Sequence, residues 1–366
     1  MRRQGALFGL LAITLCGAVV TSARAEGAIP RYDHVFVIVE ENHTANQILG
    51  SGRAPAFDRL AQTYGSATQF FAETHPSEPN YIAMLGGDTL GVTDDDAYYC
   101  KPKMDADGCE SSESDDYVDH TTAKPGLMDQ IAASGLTWKG YFEDIPAPGS
   151  PAYRSAETDE PGPEKPEGLY ASKHNGFMNF KSVQDDPRRA EKIVGFDALT
   201  ADIAKGALPN FAVIVPNQCN DMHGMIGRHV PWDCFFLNHS GLVARADRQV
   251  ADLVARIIAS PQWQARGNAA IVITFDENDT GRSGGRPRGC CGSNPDDPAN
   301  PGGGWIATIV ITNHGPRGLK DPTPYNHYSL LRTMEQAFSV KTYLGHAADT
   351  NKGVTVMAPL FELRGR

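Results

Sequence analysis

The amino-acid sequence predicts an α/β protein whose doubly wound, mostly parallel sheet is sandwiched by helices. Two observations carry this. The apolar, β-branched runs are continuous rather than alternating, as strands covered on both faces require. They also alternate with helical patterns, and such alternation builds a parallel sheet. The strand runs are 34–39 (HVFVIV), 211–215 (FAVIV) and 269–275 (AAIVITF), with 306–311 as a fourth. Helical patterns fall at 55–64, 126–134, 240–258 and 327–338. A further buried helix opens after the polar turn Pro76-Ser77-Glu78-Pro79-Asn80, with Pro79 suited to a first helical position.

Residues 1–25 have the features of a secretory signal: Arg2 and Arg3, an uncharged run from Ala6 to Val20, and a small-x-small end at Ala23-Arg24-Ala25. The apolar run is shorter than a membrane span and no later segment approaches one, so a secreted or periplasmic protein without integral membrane association is expected. The remaining 26–366, about 341 residues, suffice for one large domain. Without Arg2, Arg3 and Arg24 the formal charge falls from −11 to −14, which disfavours nucleic acid as a partner. Six cysteines outside the signal, an even number, favour disulfides. Local pairing suggests Cys100–Cys109 and Cys219–Cys234, leaving a vicinal Cys290–Cys291 pair or a longer-range arrangement. A four-cysteine zinc site lacks C-x-x-C spacing.

Three stretches read as surface insertions. Residues 94–120 carry ten acidic side chains against Lys101 and Lys103, a solvated loop pinned by cysteines. Residues 146–166 are rich in proline and glycine. Residues 281–304 hold Arg282, Arg286 and Arg288 and follow Asp276-Glu277 closely, which makes them a candidate flap over a site.

Each strong strand runs into polar residues: Glu40-Glu41-Asn42-His43 after the first, Asn217 to His223 after the second, Asp276-Glu277-Asn278-Asp279 after the third. Ligands of open parallel sheets bind outside the carboxyl ends of strands, so these clusters are expected to converge, although Asp and Asn there can simply cap helices. Ser77, at or just before a helix N-terminus, stands where backbone N–H groups favour an anion; serine is equally a common cap. Phosphoryl transfer needs a nucleophile, a cation and a proton donor. Ser77 is the candidate nucleophile. Glu41, Asn42, Asp276 and Glu277 are hard oxygen ligands for one divalent metal ion, with Ser77 as a further ligand. His223 and His327 are candidates for phosphate contact or general acid. Asn80, Asp221, Arg282, Arg286 and Arg288 are candidates to bind the substrate. His34, His120, His174, His229, His239, His314 and His346 are assigned to the surface or a satisfied core.

Taken together, Glu40-Glu-Asn-His-Thr44, Thr74-His-Pro-Ser-Glu-Pro-Asn-Tyr81, Asn220-Asp-Met-His223, Thr274-Phe-Asp-Glu-Asn278 and Tyr325-Asn-His-Tyr-Ser329 resemble the bacterial phosphoesterase family. That family contains secreted acid phosphatases and phospholipases C and belongs to the alkaline phosphatase superfamily. The resemblance spans roughly residues 34–338. It implies an alkaline-phosphatase-like fold, a single phosphoesterase domain over 26–366, metal ligation by Glu41, Asn42, Asp276 and Glu277, and Ser77 as nucleophile. It further implies a phosphate-ester small molecule or lipid headgroup as substrate, phosphoinositides included. No Asp-x-x-x-His pair follows Asp276, so one metal is expected rather than the superfamily's two zincs. The leading expectation is a secreted, metal-dependent phosphomonoesterase, an acid phosphatase working through phospho-Ser77; beside it stand a phospholipase C-type phosphodiesterase and a non-catalytic extracellular binding module stabilised by metal.

Overall fold

A computed structural model describes residues 29–95, 119–156, 165–279, 289–294, 296 and 301–363. Among the described residues, eight strands form one sheet: β1 His34–Glu40, β2 Gly65–Ala72, β3 Trp138–Phe142, β4 Ile193–Val194, β5 Phe211–Val215, β6 Ala269–Phe275, β7 Gly304–Thr312 and β8 Leu319–Asn326. Their order is β4-β3-β5-β1-β6-β7-β2-β8. All neighbours pair in parallel except at β7, which is antiparallel to both β6 and β2. The run at 306–311 is thus a strand, but one of reversed direction. Full burial on both faces makes its residues as continuously apolar as those of a parallel strand.

The strands that escaped the periodicity reading have weak patterns. β8 contains Pro322 and Pro324 and lies at the sheet edge, where a missing N–H costs no ladder bond. β2 has an irregular register between Ala67 and Phe70 and mixes Ser66, Thr68 and Gln69 with its aromatics. β4 is two residues long.

Helices cover the sheet in two groups. Pro55–Thr63 packs on His239–Ile258. The first of these has no side-chain cap of its own; Asp247 of the second accepts from the N–H groups of Ala56 (2.8 Å) and Phe57 (3.1 Å), so one helix caps the other. In the other group, Ser77–Gly86 packs against Leu127–Ala133 and His327–Ala337. Tyr81, Leu85, Leu127, Leu330 and Met334 of these helices meet Val37 and Val39 of β1 and Phe211 and Val213 of β5. The structure adds a helix at Phe196–Lys205, ended by left-handed Gly206. No described helix is long and apolar enough to cross a membrane. The structure contains the disulfides Cys219–Cys234 and Cys290–Cys291. Cys100, Cys109 and residues 1–25 lie outside the described residues.

Candidate active site

The carboxyl ends of β5, β1 and β6 lie side by side, because these strands are neighbours in the sheet. β2 shares their direction and leads through residues 73–76 into the helix Ser77–Gly86, which brings Ser77 to the same edge. Pro76 is the cap and Ser77 the first helical residue, so Pro79 stands third rather than first. The helix start is not an open anion seat. Glu78 N–H donates to Asp95 Oδ1 at 3.0 Å, placing a carboxylate on the helix dipole.

Glu41 is the hub. Its Oε2 accepts from Ser77 Oγ and from Asn42 Nδ2, both at 3.1 Å, and its Oε1 accepts from Tyr81 OH at 2.8 Å. His174 Nε2 lies 3.2 Å from Oε1. Asn42 adopts φ 56°, a left-handed conformation that asparagine tolerates better than most residues. From there its backbone N–H donates to Asp276 Oδ1 at 3.2 Å. Glu41, Asn42, Ser77 and Asp276 are therefore together. Glu277 turns to His75 Nδ1 at 2.7 Å. The turn after β6 is held by Asn278, whose N–H donates to the Gly303 carbonyl; a Cβ on Gly304, at φ 90°, would collide with the Asn278 side chain. Asp221 joins from the loop after β5. Met222, at φ 81°, turns the chain so that Asp221 Oδ1 accepts from His223 N–H at 2.8 Å while Oδ2 lies 3.3 Å from His174 Nδ1.

So many buried carboxylates resist ionisation together. Burial, then the charges of Asp276 and Asp221, push Glu41 well above the usual carboxylate range. Burial and Glu277 raise Asp276 to about 8, and burial and Asp95 raise Glu277 to about 9. Burial is likewise the main cause of the rise at Asp221. Glu40, next to Glu41, is fully buried with neither carboxylate oxygen hydrogen-bonded, and is raised by burial first. Lys173 answers this charge: burial opposes its ionisation, but Asp95 and Glu41 more than offset that, and its pKa is raised. Its Nζ lies 3.0 Å from Asp95 Oδ2 and 3.1 Å from His223 Nε2.

His223 and His174 are shifted toward the neutral form. Burial, helped by the Lys173 cation, pulls His223 down to about 3 and His174 well below its usual value. His223 Nδ1 faces the Gly224 carbonyl at 2.8 Å, which assigns the proton to Nδ1 and leaves the Nε2 lone pair toward Lys173. In this state His223 accepts at Nε2 and is no ready acid, contrary to the role the sequence suggests.

Two further sequence candidates are committed elsewhere. Asn80 Oδ1 accepts from the N–H groups of Glu73 and Thr74, and its Nδ2 donates to the carbonyls of Thr74 and Pro76, at 3.0–3.2 Å. It staples the turn before Ser77 and has no N–H left for a phosphate. His327 is fully buried with Nε2 3.0 Å from the Phe275 carbonyl, under the end of β6, and burial holds it near 4. Arg282, Arg286 and Arg288 lie outside the described residues.

Sequence reasoning missed Lys173, His174, Tyr81 and Asp95. His174 follows no strand, so nothing in the sequence separates it from a surface or satisfied core histidine. Ser172–His174 is a short 3-10 turn, which has no periodicity to read. His120, also passed over, bridges Glu78 Oε2 (3.0 Å) and Asp94 Oδ1 (3.2 Å), while Asn179 Nδ2 donates to Glu78 Oε1 at 2.6 Å. This network anchors the residue next to Ser77.

The donor set fits a divalent cation. Glu41, His174 and His223 each offer a ligand atom within 4.8 Å of the others. Asp276 Oδ2 is buried with no hydrogen-bond partner. Mutually repelling buried carboxylates of this kind call for a positive charge. Beside them a cavity of about 520 Å³ is lined by Tyr153, Arg154, Glu167, Lys173, His223 and Ile226, among others.

A model of the Phosphoesterase family matches residues 51–341. The phosphatidylinositol-3-phosphatase of Mycobacterium tuberculosis is 29% identical over 342 residues, 92% of this chain and 89% of that protein. A probable acid phosphatase of Kluyveromyces lactis is 25% identical across 89% of this chain and 62% of its own length. The phosphate-repressible acid phosphatase of Penicillium chrysogenum is 31% identical across 75% of this chain and 52% of its own. The chain thus spans nearly all of the first relative and roughly half to three-fifths of the other two. A solved protein of the alkaline phosphatase superfamily from Vibrio parahaemolyticus superposes with a TM-score of 0.52 at 12% identity, covering 87% of this chain and 70% of that one. That last likeness speaks to the fold.

Proposed function

Since the chain belongs to the phosphoesterase family and is a phosphoric ester hydrolase, a phosphatase, we propose that it is an exported, metal-dependent phosphomonoesterase working through phospho-Ser77. The observation that carries this reading is Ser77 Oγ, at the first turn of a helix, hydrogen-bonded to Glu41 Oε2 within a buried carboxylate cluster. A single domain over 26–366 and export to the cell exterior or periplasm belong to the same proposal. The Cys219–Cys234 disulfide is consistent with an oxidising compartment.

One divalent ion would be held by Glu41, Asn42, Ser77, Asp276 and Glu277, with His174 as a further donor beside Glu41. When bound it lowers the pKa of the serine hydroxyl and screens phosphate oxygens. Ser77 Oγ passes its proton toward Glu41 Oε2 and bonds to phosphorus as the ester P–O bond breaks. Lys173 neutralises phosphate charge and donates a proton from Nζ to the departing alkoxide, while His223 Nε2 accepts from the same Nζ and orients it. Water then cleaves the phosphoserine, releasing inorganic phosphate and restoring Ser77. A phosphoinositide headgroup is among the monoesters the cavity would take, in keeping with the mycobacterial relative's name.

The test is turnover of monoester and diester substrates by the purified protein, with and without a chelator. Monoesters are expected to show the higher kcat/KM, by roughly tenfold or more, because their extra charge matches the cation and Lys173. Chelation should remove activity on both. A diester preference would replace this reading with the phospholipase C-type one, and chelator-resistant turnover would remove the metal from it.

A second expectation concerns Lys173→Met. Alkyl phosphates, whose leaving groups need a proton, should lose about 10²-fold in kcat, and nitrophenyl phosphate much less. Equal losses on both would make Lys173 an electrostatic clamp with no part in proton delivery.

A further inference from the structure

Among the described residues, Ile226, Trp232, Phe236, Leu237 and Leu363 are the exposed large apolar side chains. Four of these five lie in the loop 225–238. Trp232 is 73% exposed, Ile226 71% and Leu237 62%, values that leave the side chains projecting into solvent. The loop is a built structure. Cys234 is tied to Cys219, and Met225 pairs with Phe235. Asn238 Nδ2 donates to the Trp232 carbonyl at 2.9 Å, and the Trp232 ring stacks on Phe235 with centroids 5.5 Å apart. A rigid loop that holds apolar side chains outward presents a surface for something to cover.

Charge and continuity identify the occupant. The chain is acidic overall, at −11, yet this rim is basic: Arg245 and Arg248 both approach Asp233, at 3.1 and 4.0 Å, and Arg228 has no ion pair among the described residues. The loop also supplies a wall of the cavity that holds Lys173 and His223, through Met225, Ile226 and Phe236. Tryptophan and aliphatic side chains beside arginines suit a water–lipid boundary carrying negative charge. A protein partner would require no opening from the apolar rim into the phosphate site.

We propose that the 225–238 loop is a lipid-docking surface that seats Ile226, Trp232, Phe236 and Leu237 in an anionic phospholipid interface and presents a headgroup phosphate to Lys173. This rests on the phosphomonoesterase reading for its chemistry, but the docking itself does not. It is peripheral binding, and lipid dephosphorylation leaves the acyl chains in the bilayer.

The experiment uses vesicles of phosphatidylcholine with a minor fraction of phosphatidylserine and phosphatidylinositol 3-phosphate, and nitrophenyl phosphate as the soluble comparison. Trp138 and Trp263 are buried and Trp305 is half-buried, so a blue shift of tryptophan emission on adding vesicles reports Trp232. The wild-type protein is expected to co-float with vesicles and show that shift. The double variant Trp232→Ser/Leu237→Ser should lose at least tenfold in vesicle affinity and in turnover of the vesicle lipid. Its kcat/KM on nitrophenyl phosphate should be unchanged, which also certifies its fold. Arg228→Glu should weaken binding to the anionic vesicles and leave binding to pure phosphatidylcholine unaltered. Wild-type protein that neither floats nor shifts, or a double variant that binds vesicles as well as wild type, overturns the proposal. Absence of turnover on both substrates would sink the phosphomonoesterase reading, while flotation and fluorescence would still decide docking.

Discussion

Ser77→Ala is expected to reduce turnover of every phosphate ester by about 10⁴-fold or more, the scale seen when a catalytic nucleophile is removed, while changing the melting temperature little. The size follows from the site's geometry. Glu41, Asn42 and Tyr81 form one hydrogen-bonded set around the Ser77 hydroxyl, and among the described residues the other hydroxyl in it is the Tyr81 phenol, which is committed to Glu41 Oε1. Thr74, the nearest rival in the sequence, points its Oγ1 to the His75 carbonyl at 3.1 Å. Alanine also suits a first helical turn, and the Asn80 staple remains to hold the chain. Acid quenching of the wild-type enzyme during turnover should trap phosphate on a peptide containing Ser77. Label recovered on Thr74, or an alanine variant with more than a few per cent of wild-type kcat, would remove Ser77 from the chemistry.

Stability of the metal-stripped protein should fall as pH rises from about 5 to 8, and divalent ions should reverse much of that loss. Asp276 near 8 and Glu277 near 9 hold protons in the fold that the unfolded chain sheds above its ordinary carboxylate pKa. Across that window the folded state binds more protons than the unfolded one, so raising pH favours unfolding, by up to about 1.4 kcal/mol per pH unit for each such group. For a chain of this size the two together correspond to roughly 5–10 °C in melting temperature. A bound cation favours the ionised carboxylates and so flattens the curve. Glu73 and Glu335, each raised to about 8 by burial, have other partners and should keep a residual slope. Asp276→Asn removes one titrating group; it should shallow the slope of the stripped protein and lower metal stoichiometry. Identical slopes with and without metal, or full stoichiometry in Asp276→Asn, would show that the carboxylates hold no ion.

Much of this site was visible before folding. Glu41, Asp221 and Asp276-Glu277 stand directly after buried strands or in the loop that follows one, and a polar residue there has nowhere to point but the sheet edge. β1, β5 and β6 announced themselves because burial on both faces demands unbroken apolar runs, and these happen to be the central strands that carry most of the carboxylates. Lys173 and His174 had no such marker. They arrive on a 3-10 turn far from any strand end, and only long-range packing brings them within 3.3 Å of Asp95, Glu41, Asp221 and His223.

By itself, the sequence determined the kind of sheet, the position of its central strands and the acidic character of their ends, because these follow from local periodicity and residue chemistry. Tertiary structure alone decided the antiparallel direction of β7, the edge placement of proline-bearing β8, and the placement of His327 under the end of β6. Each of those depends on which partner a group meets across the fold. For Asn80, a phosphate oxygen and the Thr74 and Pro76 carbonyls offer the same acceptor chemistry, and residue type alone does not say which of them takes its N–H groups. Hydrogen bonds are satisfied by whatever packing delivers, and for β7, β8 and His327 that delivery comes from contacts between residues distant in the chain.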